Sequence, residues 1–285
     1  MRFLYSLPSL FCGVVVLTVT PCEAGQAMSG PDFGEGHASL ESVRKVGVGG
    51  HSESNIDRWI GQALTANQWV RQAYEKHQKG DYQGAIAASN QAISLNPKAA
   101  SAYLFRGISH KALKNYPQAI ADFGQAIALN PKIVYAYSAR GDVYNALKEY
   151  PKAIADYSQA IALDLNNVYA YTVRGNLYKD LKDDEKAIAD YSQAITLKPN
   201  DALAYTRRGM IYSTSMQYPK AISDYDRAIS LDAELPDVYT LRGVAHARMN
   251  NKKQAKKDLK IAAKLFQQQN RPDGYETARK LLQKL

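Results

Sequence analysis

Cysteine is nearly absent: the 285-residue chain has two, Cys12 and Cys22, both within its first 24 residues. The rest of the sequence can therefore build no disulfide framework, no cysteine-ligated metal site and no catalytic thiol. Long apolar runs are also scarce. The longest, Leu10 to Val19, is about half of the roughly 20 residues that a spanning helix needs, which excludes a polytopic membrane protein. Glycine (18) and proline (11) are too few for a fibrous or low-complexity chain. A Gly-rich phosphate loop and an HExxH zinc motif are both missing, so the sequence offers no catalytic residues, no metal ligands and no reason to expect a cofactor.

What is present begins with an address. Arg2 supplies a positive start, Leu10 to Val19 an apolar stretch, and Cys22-Glu23-Ala24 a small-residue end. This is the layout of a secretory signal peptide, read as residues 1–24 with cleavage near Ala24 or Ala27. The expected destination is the periplasm or the extracellular side of a bacterial envelope, with an uncleaved anchor as the alternative. Residues 25–54, which include Gly30-Pro31 and Gly47-Val48-Gly49-Gly50, read as a flexible linker, and 55–65 as a lead-in helix. His37 and His51 lie in the linker without Cys or acidic partners at ligand spacing.

From Ala66 onward one pattern returns every 34 residues. An aromatic recurs at Trp69, Tyr103, Tyr137, Tyr171, Tyr205 and Tyr239, and a small residue four positions later at Ala73, Gly107, Gly141, Gly175, Gly209 and Gly243. Glycine is unfavourable in a helix by about 1 kcal/mol relative to alanine, so its recurrence predicts a close helix crossing. Two alanine columns follow, beginning at Ala85 and Ala92 and lying seven apart on one helical face. Between them Phe123, Tyr157, Tyr191 and Tyr225 supply the bulk that the glycines leave room for. Pro97, Pro131 and Pro199 close three units, whereas Leu165 and Ala233 stand at the other two junctions, which predicts smoother or longer helices there.

This period and these columns resemble the tetratricopeptide repeat, a helix–turn–helix unit, in six copies over 66–99, 100–133, 134–167, 168–201, 202–235 and 236–269. The resemblance implies an all-α fold, a right-handed superhelix of stacked helix pairs, whose concave face is made of the first helices and holds a peptide or a partner's helix. It implies neither metal nor cofactor. After Gln269, Arg271-Pro272-Asp273-Gly274 breaks the chain, and Tyr275, Ala278, Leu281, Leu282 and Leu285 recur at helical spacing, so 270–285 reads as a basic capping helix.

The charge is concentrated at that end. Of 36 Lys and Arg against 27 Asp and Glu, eleven basic and three acidic residues fall in 248–285, which is about +8 of the net +9. Two readings follow: a polar cap on the stack, or contact with an acidic partner, whether a protein or an anionic lipid or polymer on which the repeats would act as a spacer. Nucleic acid is the poorest match, because the segment has few aromatics for stacking. Contact with a membrane is expected only through this basic end or through an uncleaved signal.

Arg106, Arg140, Arg174, Arg208 and Arg242 each precede a column glycine, and Asp122, Asp156, Asp190, Asp224 and Asp258 stand sixteen residues later. The first unit loses both partners together, as Gln72 and Ala88. In an antiparallel pair each Arg and Asp reach one height, which predicts a structural ion pair within each repeat.

The side of each first helix turned away from its partner is the candidate binding face. On it we place Tyr74, Tyr135, Asp142, Tyr169, Thr172, Asn176, Lys179, Thr206 and Met210, alongside Val70, Ser138 and Asp237. Tyrosines, hydroxyls, amides and a methionine give adaptable contact area with little fixed charge, which suits another protein or a peptide better than a phosphate. Some tetratricopeptide proteins grip a terminal carboxylate with Lys and Asn one turn apart. Here Thr172 and Asn176 hold those positions and the lysine is missing. His110 and His246 share a column with Tyr144, Tyr178 and Tyr212 and read as packing residues, and Lys182-Asp183-Asp184-Glu185 as a solvated turn. The sequence thus points to a non-enzymatic interaction scaffold.

Overall fold

The computed structural model describes residues 64–285, which form thirteen helices and no strand. They are α1 (Ala66–Gln78), α2 (Tyr82–Leu95), α3 (Ala100–Ala112), α4 (Tyr116–Leu129), α5 (Val134–Ala146), α6 (Tyr150–Leu163) and α7 (Val168–Asp180). Then follow α8 (Asp184–Leu197), α9 (Ala202–Thr214), α10 (Tyr218–Leu231), α11 (Pro236–Arg248), α12 (Lys252–Gln268) and α13 (Pro272–Gln283). The expected signal, the linker and residues 55–63 of the lead-in helix lie outside the described residues. The last two residues of that expected helix, Leu64 and Thr65, are not helical. Thr65 is instead the N-cap of α1: its hydroxyl accepts from Gln68 N while its own N–H donates to the Gln68 side chain at 2.7 Å. This reciprocal box holds the cap residue extended and so marks where the helix must begin.

Each first helix ends in the same left-handed closure. Gly80, Lys114, Lys148, Lys182, Met216 and Asn250 all have φ between 59° and 78°. The next N–H then reaches back five residues, as from Glu149 to Tyr144 O and from Asp183 to Tyr178 O, both at 2.8 Å. The chain reverses within two residues, and the second helix runs antiparallel to the first. Of the acidic run that reads as a turn, only Lys182 lies in it. Asp183 caps α8 by accepting from Lys186 N at 3.2 Å, and Asp184 and Glu185 form its first turn, where negative charge meets the helix's positive end.

The junctions at Leu165 and Ala233 correct an expectation. α6 and α10 stop at Leu163 and Leu231, in register with α2, α4 and α8, and are not extended. The Asp164 and Asp232 side chains accept from the N–H groups of Asn166 (3.0 Å) and Glu234 (2.9 Å), as Asn96 and Asn130 do from Lys98 and Lys132. An Asx turn thus ends the helix with or without the following proline.

Within a repeat, helix contact is set by the glycine and large-residue columns. A Cβ on Gly209 would lie 2.8 Å from the Tyr225 ring, and one on Gly107 2.9 Å from Phe123. Phe123, Tyr157, Tyr191 and Tyr225 are wholly buried. The first repeat accommodates Ala73 because Ser89 stands where the ring would be.

Stacking between repeats is closer on one side. The first helices α1 and α3, α3 and α5, and α9 and α11 touch one another, while no two second helices make comparable contact. Such wedges stack into a right-handed superhelix with the first helices inside. α13 closes the C-terminal end: Ala278 is fully buried in a cluster with Phe266, Leu265 and Ala262. Arg271, at its N-cap, pairs with Asp237 of α11 at 2.8 Å.

Candidate functional site

The seam between the two helices of each repeat carries a charged ladder. Arg140 Nε and Nη2 donate to Asp156 Oδ2 and Oδ1 at 2.9 and 2.7 Å, and Arg174–Asp190, Arg208–Asp224 and Arg242–Asp258 repeat this fork. Arg106 grips Asp122 likewise at 2.6 to 3.1 Å. The aspartates are buried. The hydrogen bonds donated to aspartate raise the pKa of Arg106, Arg140, Arg174 and Arg208 above the ordinary arginine value.

The arginines do more than pair within a repeat. Each of four sends its third nitrogen, Nη1, back to the preceding second helix: Arg106 to Asn90, Arg174 to Ser158, Arg208 to Ser192 and Arg242 to Asp226, at 2.6 to 2.9 Å. The corresponding residue before Arg140 is Gly124, which has no side chain to accept. One side chain therefore holds its own helix pair together and ties it to the previous pair. It also lies over the aromatic that opens the repeat, as Arg106 does over Tyr103 at 5.3 Å and Arg242 over Tyr239 at 5.4 Å.

On the inner face the expected binding residues fall into three groups, and Leu203 joins the first of them. Tyr135, Tyr169 and Leu203, one per repeat at the same position of α5, α7 and α9, are each about half exposed (50%, 51% and 52%). Tyr74 is also exposed, with its ring edge-on to Phe105 at 5.6 Å. These large apolar side chains lie open to solvent on the side that curves inward.

A second group is engaged internally. Asp142 accepts from Tyr157 Oη at 2.6 Å, from Tyr169 Oη at 2.5 Å and from Lys111 Nζ. Asn176 Oδ1 accepts from Tyr191 Oη at 2.7 Å. Thr172 is half-buried and donates its hydroxyl to Val168 O, and Lys179 is exposed and pairs with Asp180 at 3.1 Å. Met210 is half-buried against the fifth repeat's core. Tyr135 lies within the field of the same network. Desolvation in the groove raises its pKa, with Lys111 opposing and Asp142 reinforcing the shift.

The third group corrects the reading. Thr206 is buried, with its hydroxyl donated to Ala202 O at 2.8 Å, and Val70 and Ser138 of the same column are buried too. Neighbouring first helices stack closely enough on this side to cover the fifth position of the repeat. A threonine there turns its hydroxyl onto its own helix and offers its methyl to the next. Asp237 is likewise occupied by Arg271.

One inner-face residue escapes the sequence columns. Arg207 directly precedes the seam arginine Arg208, yet it has no ion-pair partner among the described residues. Burial depresses its pKa, with Tyr191 and Asp201 opposing. It is half-buried and lies within electrostatic reach of Tyr191, the ring that donates to Asn176. The doublet Arg207-Arg208, with one residue in the ladder column and one outside it, is the signal that would have exposed it.

Models of the tetratricopeptide repeat match residues 67–98 and 100–133, and a further TPR-repeat model matches 141–181, 175–214 and 217–250. Together they span more than half of the chain. The chain is a tetratricopeptide-repeat protein. No curated protein matches it in sequence. Among solved structures, the tetratricopeptide-repeat protein resembles YrrB, described as having an unusual peptide-binding site, at 22% identity and a TM-score of 0.60 over 68% of this chain and 98% of that one. Pseudomonas aeruginosa pilF aligns at 13% identity and a TM-score of 0.61 over 75% of this chain and 96% of that one. MamA aligns at 22% and 0.57, over 60% and 93%. At these identities the likeness establishes the solenoid fold alone.

Proposed function

We propose that this tetratricopeptide-repeat protein is an exported, non-enzymatic scaffold that holds a peptide or a partner helix against the first helices of its third, fourth and fifth repeats. One observation carries the reading: Tyr135, Tyr169 and Leu203 form an aligned, half-exposed apolar column along the inner face. Apolar anchors in register with the repeat suit an elongated ligand, and aromatic side chains give large contact area for little lost entropy. Lys111, Asp142, Asn176 and Arg207 provide the polar groups that would orient it. Arg207, a half-buried cation with no ion-pair partner among the described residues, favours a ligand with an acidic or strongly polar group near the fourth repeat. The peptide-binding site described for YrrB supports the reading by fold.

Export rests on the signal-like layout of residues 1–24. Mass measurement of the native chain's N-terminus checks it, and a chain that retains Met1 would contradict cleavage. For binding, a random peptide display library is selected against the wild type and against Tyr135→Ala/Tyr169→Ala/Leu203→Ala in parallel. Peptides enriched on the wild type are expected to bind the variant at least about tenfold more weakly. Equal affinity for both would remove the groove from the account.

A further inference from the structure

The outer face of the last repeat differs from the outer faces of all the others. Four solvent-facing positions of the second helix hold Glu185, Ala189, Ser192 and Thr196 in the fourth repeat, and Lys253, Lys257, Lys260 and Lys264 in the sixth. At 100° per residue these four lysines fall within about 60° of arc and run about 16 Å along α12. All four are exposed and have no ion-pair partner among the described residues. The helix's one acid, Asp258, is buried on the opposite face and already neutralised by Arg242 at 2.7 Å.

Position 260 sharpens the point. In the preceding repeats this column meets the next repeat's arginine, as Ser192 accepts from Arg208 and Asp226 from Arg242. A lysine there would repel an incoming guanidinium. The arginine ladder stops at the sixth repeat, where the residue 34 beyond Arg242 is Glu276, paired with Arg279 at 3.3 Å, and Lys260 is left exposed.

We infer that this stripe is a docking surface for a bilayer that bears anionic lipid. The complementarity lies in charge and shape together. The stripe is a straight row of ammonium groups on four-carbon stems, with no arginine fork, no aromatic and no cavity among them, so it has nothing that shapes a site for one phosphate or stacks a base. Mobile point charges along a line match a plane of laterally diffusing headgroups. The stripe lies on a second helix, on the outer side, so adsorption leaves the inner face of the first helices open. Adsorption through the stripe requires no ligand in the groove.

The test is co-sedimentation of the purified chain with vesicles of neutral phosphatidylcholine, with and without about 30 mol % phosphatidylglycerol. The stripe variant is Lys253→Gln/Lys257→Gln/Lys260→Gln/Lys264→Gln. Its control, Lys98→Gln/Lys132→Gln/Lys148→Gln/Lys198→Gln, removes the same charge from exposed lysines elsewhere, and circular dichroism verifies that both keep the wild-type helix content. Wild type and control are expected to bind anionic vesicles in preference to neutral ones. The stripe variant should lose about tenfold or more of that binding, and salt should release the wild type. Equal binding to neutral and anionic vesicles, or equal loss in both variants, would overturn the proposal. So would binding to soluble polyglutamate as tight as binding to anionic vesicles, since diffuse charge and not a bilayer would then be the target.

Discussion

The seam inside each repeat and the inner face of the first helices are built from the same helices, yet one is nearly constant and the other changes at every step. The seam repeats a glycine, a ring and an Arg–Asp fork through the middle of the chain. The inner face offers Tyr135 and Tyr169 in two repeats, Leu203 in the next and Asp237 in the last at one position, and Asp142, Asn176 and Met210 at another. Constancy marks the positions that every repeat needs in order to stack. Variation marks those that stacking constrains less, and under the proposed function it is there that a ligand would be distinguished.

The comparison can be broken most forcefully at the ladder. Arg140→Met alone strands buried Asp156 and should destabilise by about 3–5 kcal/mol, while Arg140→Met/Asp156→Leu together should recover most of that loss. Urea unfolding of the two single variants and the double variant measures the coupling, and additive losses would mean that the fork is not an energetic unit. Next come the glycines. Gly209→Ala forces a Cβ to 2.8 Å from an enclosed ring, for a loss of about 1–3 kcal/mol, whereas Gly141, with 3.2 Å to Tyr157, should change by less because alanine's helix propensity offsets the strain.

The ring hydroxyls sharpen the boundary where the seam meets the groove. Tyr191→Phe removes the bond to Asn176 and should cost about 1 kcal/mol. Tyr225 is equally buried, but its hydroxyl has no partner in hydrogen-bonding geometry: Met210 stands where Asn176 and Asp142 serve the other two, and Ser213 is near enough only to moderate its raised pKa. Tyr225→Phe should therefore be neutral or slightly stabilising in the same assay.

The smallest effect is set by pH. Burial lowers the pKa of His77, and that of His110 too, where Asp122 opposes and Arg106 reinforces the shift. A histidine whose folded pKa lies below its unfolded value of 6.5 binds more protons when unfolded. Its contribution is thus complete above 6.5 and is lost as pH falls from there through the lower folded value. Urea midpoints should fall between about pH 7.5 and 5.5. His110→Tyr, which installs the residue found at Tyr144, Tyr178 and Tyr212, should flatten part of that slope, and an unchanged slope would assign the titration elsewhere.

The seam was legible because repetition reveals it. Six aligned copies expose the glycine and ring columns, and the joint loss of Arg and Asp in the first repeat, as Gln72 and Ala88, points to their pairing. The ladder's links between repeats were not legible, since their column holds Asn90, Gly124, Ser158, Ser192 and Asp226, a mixture in which nothing but the acceptor role at four of the five positions is common. Burial of Thr206 was hidden for another reason. It depends on how closely successive first helices approach, a property of the stack that no single helix's periodicity contains. The junctions were misread by giving proline the role that an aspartate side chain also fills.

The central claim is that the seam holds the fold and the inner face holds the ligand. Amide hydrogen exchange, measured with and without a peptide selected on the wild-type chain, tests it most directly. The account predicts slowed exchange along α5, α7 and α9, with the second helices α6, α8 and α10 little changed. Protection confined to those second helices, or to α12 and α13, would contradict it.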